Sequence, residues 1–313
     1  MILDRKTSII RSMAGVFPEP EEAVRLAVGP ESITWRRAGD ARTMFGAGAA
    51  LLLQVAHPTV AAGVREHSNF KEDPWGRLWR TLDYVHMLVY GGPENAVRTG
   101  RAMRAMHQKI KGTAPDGRQY HALEPEAYAW VHATLALTII GSHDQFGRPF
   151  SDAQRRRFYA EWLGLGRLLG IRERDLPGTW EDFLAYVDEM CGARLEPSDV
   201  VDDVLESLAD PKAPPVRGLG PRTWKAITAP SSHTMRLATI GLLPQPARKR
   251  LGLQWTRAME LELKAIGRLS RSTTPVLPQS LRIVGPRYLR WRRDEIARGP
   301  FGQRGQTPQS TAA

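Results

Sequence analysis

The stretch EAYAWVHATLALTIIGSHDQF, residues 126–146, constrains the fold more than any other part of the chain. Trp130, Leu135, Leu137, Ile139 and Ile140 fall on nearly every side of a helix of 3.6 residues per turn, instead of lining one stripe. A helix that is apolar all round must be covered all round, so this segment, opened by Glu124-Pro125, predicts a central helix wrapped by others. The neighbouring sequence supplies them. A small apolar run from Thr43 to Ala56 ends at Pro58, and its Gly and Ala residues allow another backbone or a flat cofactor to approach closely. Helices are expected from Pro74 to Val89, stopped by Gly91-Gly92, and from Pro93 to Lys111 before Gly112. Ser151-Asp152 caps a helix to about Leu169, and Thr179 with Asp182 resembles a capping box ahead of FLAYVDEM. A long helix is expected from Pro246 to Arg271. Asp116-Gly117 marks a turn, but convincing alternating strand pairs are missing. The fold class is therefore all-α in a single multi-helix domain over residues 35–300, with an N-terminal segment at 1–34. The tail at 301–313 is disordered by composition. The strongest internal break is Pro211 to Pro221, PKAPPVRGLGP.

Composition removes several function classes. No run of about 18 apolar residues occurs, and MILDRKTSIIRSMAG lacks the apolar core of a secretory signal, so a cytoplasmic protein is expected. One cysteine, Cys191, excludes an internal disulfide framework and any all-cysteine metal site within the chain; it reads as a buried thiol. The net charge of +11 invites polyanions. Much of it is arginine spread through helical patterns, as at Arg155-Arg156-Arg157, which reads as solvated helix face. The basic C-terminal region from Arg282 to Arg298, with Tyr288 and Trp291 interleaved, has a membrane-surface contact as its alternative. Neither zinc-finger spacing nor an RNP-like aromatic motif is present, so no nucleic-acid partner is expected.

Eight histidines occur, five of them between His57 and His121. No HExxH or other i, i+4 histidine pair argues for a zinc hydrolase, and Gly46-Ala47-Gly48 lacks the context of a phosphate loop. A haem needs only one imidazole because the porphyrin supplies four nitrogens. Spacing alone does not single out that residue, since each lone histidine is equally a hydrogen-bonded structural side chain. Arg77, Arg80 and Thr81, at i, i+3 and i+4, share a polar face on an otherwise apolar helix.

That helix, DPWGRLWRTLDYVHMLVYGG, preceded by LLLQVAHPTVAAGVREHSNF and followed by MHQKIKG and YAWVHATL, resembles the DUF2236 family of MpaB oxygenases and latex-clearing rubber oxygenases, from roughly Trp35 to Met190. The resemblance implies a globin-like multi-helix domain around a haem-sized cavity. It also implies haem b as cofactor, dioxygen as co-substrate and an apolar isoprenoid- or lipid-like substrate cleaved at a carbon–carbon double bond. Arg77 and Thr81 match the family's distal arginine and threonine. Arg80 stands where the rubber-cleaving branch has lysine, and an arginine cannot deprotonate to ligate iron. The resemblance implies His107 as the iron ligand, with His132 in reserve, and Arg77 on the distal side or on a haem propionate. Ala61 falls at or near the position of that branch's catalytic acid, leaving Glu66 as the nearest carboxylate. A non-catalytic haem-binding or sensor protein and a helical membrane-surface scaffold are the alternatives.

Overall fold

The computed structural model describes residues 17–213 and 221–298. The expected tail at 301–313 and most of the Pro- and Gly-rich break lie outside them. Helix dominates: α1 (Pro20–Leu26), α2 (Ile33–Ala38), a 3-10 turn (Ala41–Gly46), α3 (Ala47–Val55), α4 (Pro58–His67), α5 (Pro74–Tyr90), α6 (Gly92–His107), α7 (Pro125–Phe146), α8 (Asp152–Leu168), α9 (Trp180–Glu189), α10 (Asp199–Ala209), α11 (Pro221–Leu242), α12 (Gln245–Arg250), α13 (Arg257–Thr273), α14 (Gln279–Arg282) and α15 (Gly285–Arg298).

The apolar segment forms α7, and it is central. Ala129, Trp130, Ala136 and Phe146 are fully buried, and α3, α8, α13 and the 3-10 turn pack around it. The Trp130 indole donates to the Leu53 carbonyl at 2.8 Å and so ties α7 to α3. The small residues of α3 permit this packing, because a Cβ at Gly48 would collide with the Thr239 hydroxyl of α11. Pro58 starts a new helix as expected, and the chain bends by 99° between residues 41–55 and 58–67. Ser151 and Thr179 cap α8 and α9 as their spacing suggests. Among the described residues no single helix is long and apolar enough to cross a membrane.

Two boundaries differ from the sequence reading. First, α6 ends at His107 and not Lys111: residues Lys111–Thr113 (β1) pair antiparallel with Gln119–His121 (β2), Lys111 opposite His121, around a turn with Gly117 at φ 85°. Three-residue strands are too short to show alternation. Second, the helix expected from Pro246 to Arg271 is two helices, because Gly252 adopts φ 64° and Thr256 caps α13 by accepting from the Met259 amide. Pro230 lies within α11. Finally, α15 lies on α5, with the Tyr288 ring stacked 4.4 Å from His86 and Arg292 paired with Asp83 at 2.8 Å.

Candidate functional site

Helices α5 and α6 follow directly on one another through Gly91-Gly92, with Gly92 at φ 79°, and are in contact. Arg77 stands fourteen residues before Gly91 and His107 fifteen after Gly92. At about 1.5 Å of rise per residue, both lie roughly 21–23 Å along their helices from the junction. Asp73 caps the start of α5 by accepting from the Gly76 amide at 2.8 Å. The end of α4 closes over it, since Ser68 accepts from Arg77 and the Phe70 ring lies 6.0 Å from the guanidinium. The chain leaving His107 returns to α4, where a Cβ at Gly63 would lie 3.3 Å from an Ile110 methyl.

Arg77 is half-buried, and among the described residues no carboxylate lies within ion-pair distance of it. Burial, and then the like charge of Arg80, depress its pKa; an arginine nevertheless stays cationic. A half-buried cation held only by a hydroxyl and a ring is costly unless an anion joins it.

The imidazole of His107 is oriented by its own helix. Its Nδ1 lies 2.8 Å from the Met103 carbonyl, and the ring meets Tyr128 edge-on at 5.6 Å. The only role for a nitrogen facing a carbonyl is donor, so Nδ1 carries the proton and Nε2 keeps its lone pair. Burial lowers the pKa, against the raising effect of the Met103 carbonyl, so the ring is neutral near pH 7. That is the form in which imidazole ligates a metal.

The other candidates are placed differently. Arg80 and Thr81 do not join Arg77 in an interior cavity: both are exposed, Arg80 reaching back to Asp73 at 3.4 Å and Thr81 donating to the Arg77 carbonyl at 3.0 Å. The shared face predicted by spacing exists, but its edge runs past Arg77 into solvent. His132 sits in the core. Its Nε2 donates to the Trp162 carbonyl at 2.8 Å, Trp162 donates to the His132 carbonyl at 3.0 Å, and the two rings stack at 5.0 Å. Burial pushes its pKa down to about 4. Glu66 is exposed and accepts from the Tyr120 hydroxyl. Cys191 is buried, which pushes its thiol up to about 12.

Sequence reasoning passed over His86. Its Nδ1 faces the Leu82 carbonyl at 2.8 Å, one turn back, in the arrangement His107 makes with Met103. Nine residues separate it from Arg77, about 13 Å along α5 and half a turn round it, so the two do not share a site. The described cavities lie elsewhere than the expected haem pocket. One of about 390 Å³ is lined by His57, Tyr120, Glu124, Glu126 and Arg194 among others; a second, of about 200 Å³, lies between α10 and α11. None of Arg77, Arg80, Thr81, His107 and His132 lines either. Among the described residues no three His, Cys, Asp or Glu converge to hold a bare metal ion. A metal at these imidazoles would need a scaffold bringing its other ligands.

These features define a predominantly helical domain with a neutral imidazole on α6 and, on α5, a guanidinium that has no carboxylate partner among the described residues. The chain matches, over residues 35–272, the family described as the catalytic domain of the ER-bound oxygenase mpaB/B' and rubber oxygenase. That span is about three quarters of its length, and the chain belongs to this oxygenase family. No curated protein and no solved structure matches it.

Proposed function

We propose that the protein is a haem b-dependent oxygenase acting with dioxygen on an apolar isoprenoid- or lipid-like substrate, with His107 as iron ligand and Arg77 gripping a propionate. The observation that carries this reading is the Arg77 guanidinium, which has no carboxylate partner among the described residues, together with a neutral His107 imidazole whose Nε2 makes no hydrogen bond among them. The residues present fit the group: one neutral nitrogen donor for the iron, and one fixed cation for a carboxylate, which arginine holds bidentately. Haem b, once bound, supplies the iron at which dioxygen is activated. The work of the chain is positional. Met103 fixes the proton on Nδ1 of His107 and so aims Nε2. Ser68 and Phe70 hold the guanidinium of Arg77 away from bulk water, which strengthens its attraction for an anion.

The test is an absorbance spectrum and iron content of the purified full chain, for the parent, His107→Ala and His86→Ala. The parent and His86→Ala should show a Soret band and about one haem per chain; His107→Ala should lose most of it while keeping its helical circular dichroism. A parent that binds no added haem refutes the cofactor reading. Loss in His86→Ala with retention in His107→Ala transfers the iron to His86.

A further inference from the structure

Between Glu262 and Asp294 the chain runs for 31 residues without an acidic side chain, yet carries eight basic ones. Elsewhere it has 36 Lys and Arg against 33 Asp and Glu, so this stretch supplies most of the excess charge. The same stretch displays apolar side chains left exposed by the described residues. Leu269 is 63% exposed, Val276 82% and Leu281 59%, with Leu277 beside them also exposed. Pro275 lies at the start of the 3-10 turn Thr274–Val276, and Pro278 caps α14, so the Val276-Leu277 tip is bracketed by two fixed φ angles. Along α15, Tyr288, Trp291 and Arg292 meet Trp79, His86 and Asp83 of α5, whereas Arg287 and Arg290 are exposed.

From this we infer that the end of α13, α14 and the outer face of α15 dock the protein onto an anionic lipid bilayer, Val276, Leu277 and Leu281 entering the interface and Arg287 and Arg290 meeting lipid phosphates. Charge complementarity argues for a polyanionic partner. The exposed aliphatic tip selects among polyanions: leucine and valine gain from entering acyl chains, while a nucleic-acid backbone offers them nothing comparable. Most of this surface lies beyond residue 272, where the family match ends. The inference stands independently of the haem reading, and it is read out by binding alone.

The experiment is flotation of the full chain with phosphatidylcholine vesicles and with equimolar phosphatidylcholine–phosphatidylglycerol vesicles, at low and high salt. The parent should float with the anionic vesicles and stay behind with the neutral ones. Arg287→Glu with Arg290→Glu should weaken anionic binding by roughly tenfold or more. Val276→Ser, Leu277→Ser and Leu281→Ser together should abolish the part that survives high salt, without changing the melting temperature, because all are exposed. Binding that is absent, equal on neutral vesicles, or unchanged in either variant overturns the inference. So does duplex RNA that binds with the same arginine dependence and no dependence on the aliphatic tip, which would make the surface a nucleic-acid one.

Discussion

Arg77 is where stability and function pull apart. A half-buried guanidinium satisfied only by Ser68 is a liability in the cofactor-free fold, whereas a replacement of similar shape and no charge removes the desolvation penalty. Arg77→Met should therefore raise the stability of the apo protein by about 1 kcal/mol in urea titrations, while lowering haem retention on a desalting column. Equal haem retention in parent and variant would show that the cation has no anionic partner and is merely tolerated. Arg80→Ala and Thr81→Ala touch exposed groups and should change stability by no more than about 0.5 kcal/mol and leave haem content at the parent level. Loss of haem in either would return them to the site. Spacing put these three residues on one face correctly, but period alone does not say where that face meets the neighbouring helix. The i to i−4 contact that orients His107 also escapes a sequence reading, because a histidine follows another residue's carbonyl at that spacing in any helix.

Elements were legible where side-chain pattern and chain punctuation agreed. The all-round apolarity of α7, the caps at Ser151 and Thr179 and the break at Pro58 each follow from local chemistry, and each appears in the fold. What failed were boundaries set by backbone conformation or by tertiary contact. Gly252 separates α12 from α13 by taking a left-handed conformation, and α6 stops short so that its continuation can pair with residues 119–121. Close packing was legible in the Gly- and Ala-rich run of α3 but not at a single glycine in a polar helix. Gly100 on α6 looks like an ordinary weak spot in a helix, yet a Cβ there would collide with the Leu168 carbonyl at the end of α8. Gain in helix propensity from Gly100→Ala is about 1 kcal/mol, and forcing two backbones apart costs about 1–3 kcal/mol. The collision is with backbone, which cannot rotate away, so the variant should be less stable than the parent. A higher melting temperature for Gly100→Ala would mean that α6 and α8 separate freely.

For the whole molecule, the buried histidines set the response to acid. His57, His86, His107, His132 and His143 all have pKa values lowered chiefly by burial, and His132 drops to about 4. In the unfolded chain each takes up a proton near pH 6.5. Above that pH neither state is protonated and the groups are neutral to stability. Below it the unfolded chain binds protons that the folded protein refuses, so stability falls as the pH drops from 6.5 toward the folded values. His132 alone accounts for about 3 kcal/mol of loss by pH 4. Carboxylates held low by partners, such as Asp199 bonded to Arg65, lose their contribution only at or below their ordinary range and do not enter this window. Urea midpoints measured from pH 7.5 to 4.5 should therefore decline steadily, beginning near pH 6.5. His132→Ala gives up the Trp162 stack and hydrogen bond, and should begin about 2–4 kcal/mol less stable at pH 7.5. Its curve should then fall less steeply than the parent's, because one refused proton is gone. Parallel curves would mean that His132 is protonated in the folded state at ordinary pH, which a ring bonded to one carbonyl, with its other nitrogen buried and unpartnered, does not allow.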